Sequence, residues 1–205
     1  MQKRIPLLLL VLGLVLLAYP GLSSGASRHR QEDTLSRYQS TVTQMSPGSR
    51  TELLVAAGAS QDPGPLSVDE TGIIGCVTVP ALDIQLPIYP GTSEAELCRG
   101  AGLLEGASLP LGGNGCHSVL SAHRGLPEAR LFRDLDKLKV GDTFTVTVLD
   151  RVLTYRVDRI TVAEPDDTRA LLPEEGSDLC TLLTCTPYGI NSHRLLVRGC
   201  RTDPP

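Results

Sequence analysis

The sequence predicts a mostly β protein: one closed β-barrel of about eight strands, carrying short peripheral helices and an N-terminal membrane segment. Three observations predict it. Twenty Gly and fifteen Pro in 205 residues cut the chain into short pieces. Trp is absent and Phe occurs twice, so the core has to be assembled from Val, Leu and Ile. From Val68 onward, apolar residues fall in short runs or strict alternation between turn signals. A chain of this length suffices for one well-packed domain. A net charge of −4 without a basic face argues against nucleic acid, and no long run of one sign points to an electrostatic partner.

The elements come in order along the chain. Lys3 and Arg4 precede an apolar run from Ile5 to Tyr19, which places the rest of the chain outside the cytoplasm. The run is shorter than the roughly 20 residues of an ideal span. Residues 1–26 therefore read either as a signal peptide cleaved near Ser24-Gly25-Ala26 or as a short signal anchor. The anchor is favoured because no second apolar span occurs downstream. Residues 27–67 form a helical linker with a lid-like end: Leu35, Tyr38 and Val42 have helical spacing, as do Leu53, Leu54 and Ala57, with a break at Ser46-Pro47-Gly48-Ser49. Gln61 to Pro65 is loop.

The barrel itself is assigned to residues 68–201, with 202–205 as a tail. Its strands are Ile73–Val79, Ile84–Ile88 (an edge strand, from Pro87), Cys116–Ala122, Phe144–Val148, Leu153–Val157 continuing through Ile160–Ala163, Leu179–Thr184 and Leu195–Arg198. Asp150-Arg151 turns one hairpin. Between them, Leu131, Leu135 and Leu138 predict a helix over Pro127–Leu138.

Three reactive side chains fall at strand ends bordering loops: His123, Cys185 and Arg194. A thiol with an imidazole supplies the nucleophile–base pair of acyl transfer, and a guanidinium supplies fixed charge for a tetrahedral oxyanion. Taken singly, each has a plainer reading. Cys185 could be a structural thiol or half of a disulfide with any of Cys76, Cys98, Cys116 or Cys200 in an exported chain. His123 could terminate a strand and Arg194 could face solvent.

The surrounding text changes that balance. Thr181-Leu182-Leu183-Thr184-Cys185 resembles the TLxTC signature of sortases, and Thr186 through Gly199 is similar to its continuation in class C, pilus-polymerising sortases. Ser118 through Pro127 resembles the family's catalytic-histidine segment. The blocks Leu131–Leu138, Leu86–Ser93 and Leu104–Pro110 extend the likeness across residues 68–201. The resemblance implies a sortase-like barrel and a cysteine transpeptidase with Cys185 as nucleophile, His123 as acid/base and Arg194 as oxyanion stabiliser. It implies LPxTG-bearing surface or pilin proteins as substrates and an amine on pilin or peptidoglycan as acceptor. It further implies a cell-surface location of the Gram-positive type, with a single N-terminal span. Thr184, Thr186 and His193 are expected at the substrate cleft. Class C members often carry a lid with an Asp-Pro-aromatic motif; Asp62-Pro63-Gly64 stands in that place without the aromatic plug, and two readings stay level: a weak lid in which Asp62 pairs with Arg194, or an ordinary Asp-Pro turn.

Two other functions compete: a cell-wall-anchoring enzyme of the same family, and a non-catalytic barrel stapled by disulfides. A papain-like hydrolase is disfavoured by the β pattern and by His preceding Cys. No cofactor is expected. No metal is expected either, since no Cys-x-x-Cys pair or ligand-spaced His cluster occurs.

Overall fold

The structure is a computed structural model that describes residues 4–126 and 129–202. Eight strands close into a barrel: β1 (Gly75–Val79), β2 (Ile84–Tyr89), β3 (Ala101–Leu103), β4 (Cys116–Ser121), β5 (Thr143–Val148), β6 (Arg151–Ala163), β7 (Asp178–Thr186) and β8 (His193–Arg201). The order around the barrel is β1-β2-β3-β4-β7-β8-β6-β5. Two neighbours, β2–β3 and β4–β7, are parallel, and the other pairs are antiparallel.

Alternation decides what each strand turns inward. In β5, Phe144, Val146 and Val148 are fully buried while the intervening threonines are not. Phe144 stacks on Tyr155 of β6 at 5.5 Å between ring centroids. Across from them β8 carries Gly199, where a Cβ would stand 2.7 Å from Phe144 Cε1 and 2.9 Å from Tyr155 Cβ. Only glycine leaves room for that stacked pair.

The edge expectation for β2 holds for part of its length. β2 pairs with β1 from Ile84 to Ile88 but with β3 only through Ile88 and Tyr89. Pro87, which has no N–H to offer, precedes that second ladder.

Two helices precede the barrel: α1 (Arg4–Gln44) and α2 (Pro47–Ser60). They are separated by the predicted break, where Ser46 caps α2 by accepting a hydrogen bond from Ser49 N and Pro47 opens it. Leu35, Tyr38, Val42 and Ala57 are buried in the same core as the barrel. The Tyr38 hydroxyl donates to Ile74 O (3.2 Å) and accepts from Leu149 N (3.1 Å); burial pushes its phenol up to about 12. Among the described residues no helix is long and apolar enough to cross a membrane. The side chains of residues 1–12 and 14–24, on which the anchor expectation rests, lie outside the described part.

The helix expected over Pro127–Leu138 does not form. Pro127 and Glu128 lie outside the described residues; from Ala129 to Leu138 the chain is irregular, with Leu131 at φ +40° and one 3-10 turn at Leu135–Lys137. Leu131, Leu135 and Leu138 are buried as their spacing suggests. Phe132 N, however, donates to His123 O (3.1 Å), so the chain is pulled back against the end of β4 instead of coiling.

Candidate active site

β4 and β7 lie parallel, with Ser121 beside Leu183, and Ala122 N continues the ladder by donating to Leu183 O (3.1 Å). His123 follows Ser121 by two residues, just past the end of β4, as Cys185 follows Leu183 by two residues on β7. On the other side of β7, Cys185 pairs with Arg194 of β8. Directly opposed residues of this kind have Cβ atoms about 4.5–5.5 Å apart. Thiol and guanidinium therefore stand as neighbours in one cross-strand row, and His123 follows the end of β4, the strand on the other side of β7. Cys180, Leu182 and Thr184 alternate with Cys185 along β7, and Cys180 and Leu182 belong to the barrel core. By the same parity the row lies on the outer face, with Ser121, Leu183 and Leu196 forming the next row beneath it.

Cys185, His123 and Arg194 are all half-buried, with the His123 side chain 27 % exposed. His123 Nε2 lies 3.2 Å from Glu94 Oε1. Arg194 donates to the carbonyls of Asn191 (3.3 Å) and His193 (3.2 Å) in the β7–β8 loop. Cys76, Cys116, Cys180, Cys185 and Cys200 carry free thiols, so Cys185 is not half of a disulfide.

Of the residues expected at the cleft, Thr184 is turned into the barrel. Thr184 is 1 % exposed and its hydroxyl donates to Ala122 O (2.8 Å). Thr186 and His193 pair with each other one step beyond Cys185–Arg194, on the opposite parity. Thr186 Oγ1 accepts from Arg124, and His193 Nε2 faces Glu164 at 3.2 Å with its Nδ1 2.8 Å from Ser192 Oγ.

Asp62 is not brought to Arg194. Its carboxylate accepts from Gly64 N (2.9 Å), forming a local turn. The preceding helix α2 sits at the other end of the barrel: Arg50 pairs with Asp150 at the β5–β6 turn, and Gly58 adjoins Leu111. From Asp178 at that end to Cys185, β7 runs about 23 Å. Leu66, which follows the Asp62 turn, is fully buried in the core.

Residues without a role in the sequence reading complete the site. Arg124, 8 % exposed, donates to Cys185 O (3.4 Å) and to Thr186, and pairs with Asp136 at 2.6 Å. One guanidinium thus ties the exit of β7 to the segment after His123. Glu94 and Cys98 come from the short helix α3 (Glu94–Leu97) and its C-cap. Together with His123 they bring ligand atoms within 4.8 Å of one another, a cluster the sequence did not lead us to expect. His117 is buried beneath the β6–β7 loop: Nδ1 lies 3.0 Å from Leu172 O and Nε2 2.7 Å from Thr181 Oγ1. Burial holds its imidazole below the usual histidine range. Arg198 pairs with Asp158 and Glu174, so the β6–β7 loop is fastened to the barrel face at Leu172 and Glu174.

A family profile described as the sortase domain matches residues 77–202. Sortase A of Listeria monocytogenes is 25 % identical over 206 residues, covering 97 % of this chain and 90 % of that protein. Among solved structures, sortase C of Streptococcus pneumoniae superposes with a TM-score of 0.78 at 48 % identity, over 84 % of this chain and 97 % of the other. Sortase C1 of Streptococcus agalactiae does so with a TM-score of 0.78 at 44 % identity, over 83 % and 98 %. The neighbours of this fold are class C pilus sortases.

Proposed function

The chain belongs to the sortase family of cysteine transpeptidases, and from that premise we propose that it cleaves an LPxTG-like sorting signal and joins the acyl group to a lysine amine of a pilin subunit. The observation that carries the reading is the Cys185–Arg194 pair across β7 and β8, with His123 just past the end of the neighbouring parallel strand β4. The Cys185 thiolate attacks the Thr carbonyl of the signal. The carbonyl oxygen takes up negative charge, and the Arg194 guanidinium, released from the loop carbonyls it now contacts, stabilises it. As the Thr–Gly bond breaks, His123 gives its proton to the departing Gly amine and a thioester remains on Cys185. A lysine amine then attacks the thioester. His123 takes the amine proton, the isopeptide bond forms and Cys185 leaves as thiolate, which restores the starting thiolate–imidazolium pair.

The Glu94 carboxylate, 3.2 Å from His123 Nε2, holds the imidazole ring in place beside the strand end. A pilin acceptor is favoured over a peptidoglycan amine by the identities of 44–48 % to sortase C structures, one of them described in connection with pilin substrate specificity. Anchoring at the cell surface through residues 1–26 completes the reading.

The test is incubation with an LPxTG-type peptide and then intact-mass measurement. Wild type should gain the mass of the acyl fragment, and Cys185→Ala should not. A pilin-derived lysine peptide should then release the adduct faster than a cell-wall peptide amine. Absence of any adduct on wild type, or an adduct that survives Cys185→Ala, overturns the proposal; faster release by the cell-wall amine overturns the pilin acceptor alone.

A further inference from the structure

We propose that Glu94, Cys98 and His123 form a binding site for a divalent transition metal of the zinc type, which when filled takes His123 out of proton transfer. Among the described residues this is the one group of three such side chains close enough to share an ion. Its chemistry is mixed, with carboxylate, thiol and imidazole, the donor set that zinc takes in preference to calcium or magnesium.

The separations fit a tetrahedral ion. Bonds of about 2.0–2.1 Å to N and O and about 2.3 Å to S put N···O near 3.3 Å and S···O near 3.5 Å. Glu94 Oε1 lies 3.2 Å from His123 Nε2 and 3.4 Å from Cys98 Sγ. Glu94 is thus already the shared vertex of two such edges, and the third edge closes within 4.8 Å.

The scaffold holds this arrangement before any ion arrives. Glu94 and Cys98 are four residues apart on one face of α3. α3 is fixed by a capping box in which Glu96 accepts from Ser93 N (2.9 Å) and also from Gly91 N (3.2 Å). Arg99, the adjacent cation, is turned onto the Tyr89 ring, 4.4 Å from its centroid. Glu94 and Cys98 are exposed, so the fourth position opens to water. On binding, Cys98 releases its thiol proton to solvent and coordinates as thiolate, Glu94 binds as carboxylate, and His123 binds through the Nε2 lone pair. Ion capture does not depend on the transpeptidase reading; its inhibitory consequence does.

The binding test uses Co2+ with full-length Cys185→Ala, so that the nucleophile cannot supply sulfur. A thiolate-to-cobalt charge-transfer band saturating at one ion per chain is expected. Adding Cys98→Ser should abolish it. No band in Cys185→Ala, or a band that persists without Cys98, overturns the site. The inhibition test uses peptide turnover with Zn2+. Wild type should lose activity on addition of Zn2+ and regain it on chelation, and Cys98→Ser should need at least tenfold more Zn2+ for the same loss. Equal sensitivity overturns the inhibition. If wild type turns over no peptide at all, the transpeptidase reading fails with it, and the cobalt spectrum alone decides the site.

Discussion

Replacing Thr184 by valine would remove one hydroxyl and little volume. In the native chain that hydroxyl donates to Ala122 O at 2.8 Å from a position 1 % exposed. Valine leaves the carbonyl of Ala122 without that donor in a site water does not reach. An orphaned buried acceptor costs about 1–3 kcal/mol. For a domain of this size each kcal/mol lowers the melting temperature by about 2–4 °C, so Thr184→Val should melt about 2–12 °C below wild type. Ala122 immediately precedes His123, and the Thr184 contact is the last tie between the two strands before the row of reactive groups. Turnover of an LPxTG-type peptide, measured well below either melting point, should therefore fall about tenfold or more. Thr184→Ser keeps the donor and loses one methyl, about 0.8 kcal/mol, so it should stay near wild type in turnover. If valine melts with wild type, or serine is as damaging as valine, the hydroxyl is not what holds the strands in register.

Gly199→Ala should cost about 1–3 kcal/mol by overpacking against Phe144 and Tyr155, seen as a lower urea midpoint with an unchanged slope; an unchanged midpoint would show that the ring stack yields freely. His117 is held neutral by burial, in a setting that also includes Arg198, Glu174 and Asp158. Its folded pKa lies below the unfolded one, so its contribution is complete above about pH 6.5 and is lost as the pH falls toward the folded value. Urea unfolding at pH 7.5 and pH 5 should show a larger drop for wild type than for His117→Gln; equal drops would assign the acid sensitivity elsewhere. Asp62→Ala should leave peptide turnover unchanged, because the carboxylate serves a local turn; a marked rise in turnover would instead indicate a lid.

Much of the barrel was readable because alternation and turn residues state a strand's existence without tertiary help. Seven of the eight strands fall where the apolar pattern puts them, and the hairpin turns where Asp150-Arg151 suggests; β3 (Ala101–Leu103), three residues long, is too short to show an alternation and escapes that pattern. The leucines after Pro127 misled because spacing reports burial, not conformation: they are buried, yet the Phe132–His123 hydrogen bond fixes the backbone otherwise. Thr184 and Thr186 were assigned by adjacency to Cys185, although strand parity already turns both away from it; that signal was present in the sequence. The meeting of Glu94 and Cys98 with His123 was not. The one-turn spacing of the first two is visible, but the third comes from a strand whose neighbours only the barrel closure decides.

The Tyr38 hydroxyl serves a carbonyl before β1 and an amide after β5 at once. A recombinant fragment begun at residue 68, where the β pattern starts, would strip both groups of their partner and uncover the apolar surface under Leu35, Val42 and Ala57. The smallest autonomous folding unit consequently starts upstream of Leu35, and shorter clones should come out of expression insoluble or partly unfolded.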